Sequence, residues 1–146
     1  MEKQIDFYFD LVSPYSYIAS MLIDDVARRG NAKVSWKPFL LGGVFKAVGT
    51  TEAPGLHPAK KPYLLKDLQR LSGHLKIPIK MPPDFPVRTV LAMRTLCGFN
   101  ADEIPQAAQT LYKAYWVNNQ DIADPEVVTS LVGSDAVERA GMQEIK

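Results

Sequence analysis

Ser13 stands directly before Pro14, where an alternating stretch from Gln4 to Asp10 gives way to helical spacing. Serine there suits a helix N-cap, and proline at the first helical position costs nothing, because its missing N–H would be unpaired anyway. The same place suits chemistry. Ligands gather where a strand ends and a helix begins in open α/β sheets. A helix N-terminus adds free N–H donors and a partial positive charge, which favour an anion such as a thiolate. Capping and catalysis are compatible at one serine.

The other chemistry-bearing residues are sparse. His57 and His74 lie in unlike contexts, and no HExxH, CxxC or carboxylate cluster offers a metal site. No G-x-S-x-G elbow and no glycine-rich phosphate loop is present. Cys97 falls on the apolar face of a helical stretch, where a thiol is a small, inert core residue. As the chain's one cysteine it excludes an internal disulfide and a dithiol motif. Asp10 reads as an ordinary turn residue, and Asp67 with Arg70, three apart on one helix face, as an exposed pair.

The elements that must position Ser13 follow from periodicity. Ile5, Phe7 and Phe9 alternate with Asp6, Tyr8 and Asp10, which predicts a strand. Tyr15, Ile18, Ala19, Leu22 and Val26 predict one helix from Ser13 to Gly30. Val34 and Trp36 alternate within a second strand, Lys33 to Phe39, giving a βαβ unit with parallel strands. The rest reads as mostly helix: a short one at Val44 to Val48, then Leu64 to Leu75, Val87 to Phe99 and Glu103 to Asn118. Further helices start at Asp124-Pro125, capped as at Ser13-Pro14, and lie near Ala136 to Met142. A two-stranded parallel sheet leaves two open edges, so further strands are expected beyond this sequence or in a partner chain.

The chain has 146 residues, 47% of them apolar, and a formal net charge of +1. That suits one domain of ordinary size. The scattered lysines and arginines give no footprint for nucleic acid. No apolar run reaches the roughly 20 residues of a membrane-spanning helix, and Glu2, Asp6 and Asp10 interrupt what a secretory signal would need. A reduced, soluble, cytoplasmic protein is expected.

The stretch Ile5 to Tyr17 (IDFYFDLVSPYSY) resembles the opening of the 2-hydroxychromene-2-carboxylate isomerases and kappa-class glutathione transferases, in the DsbA-type, thioredoxin-like group. The similarity continues through Pro58 to Tyr63 (PAKKPY), Lys66 to Arg70, Ile77 to Ile79, Pro83 to Phe85, Ala92 to Arg94 and Asn119 to Asp124. Ser13 to Ser16 stands where redox members carry Cys-x-x-Cys, and two serines cannot form a mixed disulfide. The resemblance implies an α/β fold with a thioredoxin-like βαβ start (1–45), an inserted helical domain (46–135) and a return to the first part (136–146), the C-terminal part of the thioredoxin fold being absent from this chain.

It also implies glutathione as cofactor or cosubstrate. Ser13 would donate to the glutathione sulfur and lower its pKa. Asp10, Pro14 and Tyr15 would flank the pocket around it. Lys60, three places before Tyr63, matches a lysine that contacts glutathione, and Thr51 stands where the family often has asparagine. The activity implied is glutathione-dependent isomerisation of 2-hydroxychromene-2-carboxylate type, in aromatic (naphthalene) degradation. The alternatives are a kappa-class-like transferase and a non-catalytic fragment or binding module. The implied partners are a small aromatic substrate and a second copy in a homodimer, with no nucleic acid and no membrane.

Overall fold

The computed structural model describes residues 3–50, 53 and 55–140. Strand β1 (Lys3–Phe9) pairs in parallel with β2 (Ala32–Pro38), with Phe7 opposite Trp36 and Phe9 opposite Pro38. As the alternation predicts, Ile5, Phe7 and Phe9 turn inward while Asp6 and Tyr8 are exposed. Trp36 meets Phe7 and Phe9 edge-on at 4.9 and 5.3 Å between ring centroids. Such pairs are worth about 0.5–1.5 kcal/mol beyond area burial.

The connection between the strands is two helices, α1 (Pro14–Ser20) and α2 (Ile23–Gly30), where the sequence predicts one. The break has a cause. The Ser20 carbonyl accepts from Gln109 Nε2 at 2.8 Å, and the Ser20 hydroxyl turns back to the Tyr17 carbonyl at 2.7 Å. A carbonyl diverted to a side chain is lost to the i→i+4 ladder, and the helix restarts.

Six more helices are described: α3 (Leu41–Ala47), α4 (Lys61–Leu75), α5 (Val90–Cys97), α6 (Ile104–Trp116), α7 (Pro125–Val132) and α8 (Ser134–Ala140). The short helix after β2 begins three residues before its predicted start. α4 runs through Gly73 and ends where Lys76 adopts the left-handed conformation, φ 55°. α5 starts at Val90 rather than Val87, and its N-cap Thr89 makes no side-chain cap because its hydroxyl donates to Asp10. α7 opens as predicted, Asp124 accepting from the Glu126 amide at 2.8 Å. Part of the last predicted helix, Met142 included, lies outside the described residues.

The core joins the sheet's inner face to α6. Phe9, Leu11, Leu111, Tyr112, Trp116 and Met93 are fully buried. A buried side chain of this size stabilises by about 1.5–3 kcal/mol, so the turn after β1 is anchored by the best-packed part of the molecule.

Candidate functional site

The turn between β1 and α1 is fixed by its backbone before its side chains matter. The Asp10 carbonyl accepts from the Ser13 amide at 3.1 Å and from the Tyr112 hydroxyl at 3.4 Å. The Leu11 carbonyl accepts from Trp116 Nε1 at 2.9 Å, and its amide faces Met93 Sδ at 3.5 Å. α6 therefore holds this turn from below through two aromatic donors.

Asp10 corrects the sequence expectation. It is 1% exposed and is a buried tie rather than an ordinary turn residue. Its Oδ1 accepts from the Val12 amide at 3.1 Å and from Thr89 Oγ1 at 2.8 Å, and its Oδ2 from the Leu41 amide at 2.9 Å. One carboxylate thus joins the turn before Ser13, the start of α3 and the start of α5. Burial pushes its pKa up, while the three donors pull it back.

Ser13 caps α1 as predicted: its φ is −85°, its ψ 117°, and its Oγ accepts from the Ser16 amide at 3.2 Å. That uses one lone pair of the hydroxyl and leaves its proton to donate. Ser13 lies on the wall of a cavity of about 590 Å³, a size usual for small-molecule sites. Pro14 and Tyr15 line the same wall, and Leu41, Phe45, Leu64 and Phe85 make the opposing surfaces apolar.

Tyr15 donates to Asp67 Oδ2 at 2.7 Å, tying α1 to α4. Burial and then the Asp67 carboxylate push its hydroxyl up to about 12, so it stays a donor at neutral pH. Asp67 is consequently more than half of an exposed ion pair: it is half-buried, and Arg70 Nη2 stands 3.9 Å from its other oxygen.

The expected residues are brought together in part. Ser13, Pro14 and Tyr15 share the cavity wall. Lys60 is exposed in the turn before α4, its amide donating to the His57 carbonyl at 3.0 Å, and it is not part of that wall. Thr51 lies outside the described residues. Asp10, Thr89 and Arg88 also line the cavity; the resemblance places Asp10 there, while Thr89 and Arg88 were not expected. An Asp two places before Val12 also has the spacing of an Asx turn. Nothing local marks Thr89 or Arg88, because the fold brings them from far along the chain.

Among the described residues no group of three or more His, Cys, Asp or Glu is placed to hold a metal ion, and no helix is long and apolar enough to cross a membrane. Cys97 is half-buried, and burial raises its thiol pKa.

Comparison with known proteins agrees with this architecture. Glutathione S-transferase kappa 1 of Homo sapiens is 30% identical over 150 residues, covering 97% of this chain and 64% of the relative. A 2-hydroxychromene-2-carboxylate isomerase of Sphingobium xenophagum is 31% identical over 86 residues, 58% of this chain and 44% of the relative. The chain therefore spans under two-thirds of the length of these relatives. The solved structure of a 2-hydroxychromene-2-carboxylate isomerase superposes with a TM-score of 0.74 at 22% identity, over 96% of this chain and 76% of the other, which is a likeness of fold. The model of the DSBA-like thioredoxin domain matches residues 4–145, and the chain belongs to that family.

Proposed function

We propose that the chain binds glutathione at the β1–α1 turn and activates its thiol through Ser13 for reversible addition to a small aromatic substrate. The observation that carries this reading is the Ser13 hydroxyl on the cavity wall, its lone pair taken by the Ser16 amide and its proton left to donate. A hydroxyl donating to a sulfur favours the thiolate over the thiol, and each pKa unit of depression is worth about 1.4 kcal/mol. The glutathione would supply the nucleophilic sulfur; Ser13 would hold it, with Pro14 and Tyr15 beside it. In this reading Lys60 and Thr51 also contact the glutathione.

Addition to a conjugated substrate, rotation about the bond thus made single, and departure of the thiolate give isomerisation with no net consumption of glutathione. The reaction class is that of the 2-hydroxychromene-2-carboxylate isomerases, in aromatic degradation. A second reading is transfer, in which the same thiolate displaces a leaving group. It is favoured by glutathione S-transferase kappa 1 of Homo sapiens, whose match covers 97% of this chain against 58% for the isomerase of Sphingobium xenophagum.

Residues 1–45 and 136–146 would form the thioredoxin-like part and 46–135 the helical insertion. A homodimer in the cytoplasm, where glutathione keeps Cys97 reduced, completes the reading. Sedimentation with only monomer would remove the dimer.

The test assays the pure chain with glutathione, once with 2-hydroxychromene-2-carboxylate and once with a chloronitroarene. Turnover of the first, falling at least about a hundredfold in Ser13→Ala, supports the isomerase; turnover of the second alone supports the transferase. No turnover of either would leave a binding module.

A further inference from the structure

A second hollow, of about 280 Å³, adjoins the first, and Arg88 and Val90 belong to the walls of both. Its other walls are Leu91, Arg94, Ala123 and Ala140. Arg88 and Arg94 are exposed, and neither makes an ion pair among the described residues. The Asp10 carboxylate on the main cavity wall already holds three donors, and the exposed Asp84, four residues before Arg88, makes no ion pair with it. Two guanidiniums on one hollow without a counter-charge repel each other, and an anion between them replaces that repulsion with charge-assisted hydrogen bonds.

The main cavity has the opposite character. Leu40, Leu41, Phe45, Leu64, Phe85 and Val87 present apolar surface, with Ser13 at one side and Arg88 at another. The two hollows together match a ligand with an apolar body and one anionic end.

We propose that Arg88 and Arg94 determine acceptor specificity, by holding a carboxylate at the far end of an apolar electrophile whose reactive carbon lies beside Ser13. This rests on the thiolate reading above. The carboxylates of glutathione are the other source of the same chemistry. They fit this side less well, because a peptide crossing from Ser13 to Arg88 over leucine and phenylalanine surface would leave its amides unpaired.

The experiment uses benzalacetone bearing a para carboxylate and the methyl ester of the same compound. Glutathione sulfur forms a C–S bond at the β-carbon, the π pair moves toward the carbonyl, and the α-carbon takes a proton from water; nothing is oxidised. Expected is a kcat/KM about tenfold higher for the acid than for the ester, the low end for a hydrogen bond to a charged group. That ratio falls to about one in Arg88→Gln and in Arg94→Gln. A ratio near one in the unaltered chain, or one that survives both substitutions, overturns the proposal. So does a rise in the KM for glutathione with the acid-to-ester ratio intact, which would give the arginines to glutathione. Calorimetric binding of acid and ester without glutathione decides the matter if neither is turned over: tighter acid binding, lost in both variants, supports the arginines even though the thiolate reading has failed, and equal binding overturns them.

Discussion

Thr89 donates its hydroxyl to the Asp10 carboxylate at 2.8 Å across 79 positions of sequence, and this bond joins two segments that both line the cavity. The start of α5 is thereby held against the turn that carries Ser13. Asp10 thus holds the shape of the site through its bonds to Val12, Leu41 and Thr89.

The energetic weight of this tie is testable. Asp10→Ala leaves the Val12 and Leu41 amides and the Thr89 hydroxyl without their acceptor, and each buried unpaired group costs about 1–3 kcal/mol. A loss of about 3 kcal/mol or more is expected from urea midpoints, against about 1 kcal/mol for Thr89→Val. The double variant should lose less than the sum, because the two residues share one bond.

The same residue gives a pH dependence. Burial raises the Asp10 pKa above its ordinary value of 3.8, so the folded state binds more protons than the unfolded one in the window just above that value. Its contribution to stability is present below the unfolded pKa and is lost as pH rises through the folded pKa. Urea midpoints of the unaltered chain should therefore fall, relative to Asp10→Asn, as pH rises from about 4 through that window. A difference that is flat with pH would contradict the assignment.

Trp116 makes a separate prediction. Phenylalanine at this position keeps much of the packing but removes the donor to the Leu11 carbonyl, 2.9 Å away in the core. A cost of about 2–4 kcal/mol is expected, from the orphaned carbonyl together with the lost ring volume. Faster amide exchange at Val12 and Ser13 would show that the loosening reaches the turn.

Cys97 should be a slow thiol. With its pKa raised by burial, less of it is thiolate at pH 8 than of a free cysteine. Alkylation by iodoacetamide should run slower than that of free glutathione under the same conditions, and a faster rate would contradict the structure.

Much of the frame around Ser13 was legible in the sequence, since strands, caps and helical stripes are local patterns. The strand from Ile5 to Phe9, the Ser13 and Asp124 caps and the stripe of α6 all follow from spacing within one element. What escaped was set by distant partners. The break at Ser20 depends on Gln109, the missing side-chain cap at Thr89 on Asp10, and the second role of Asp67 on Tyr15. Turn chemistry likewise hid Asp10, because its burial is decided by α5 and α6 closing over it rather than by its own neighbours.

A pH titration of thiolate absorbance decides whether Ser13 stabilises a glutathione thiolate. With the chain present in excess, the bound thiol should titrate at least about one unit below its free value near 8.5, and Ser13→Ala should abolish the shift. A bound thiol with its ordinary pKa, or a shift that Ser13→Ala leaves intact, would contradict the account.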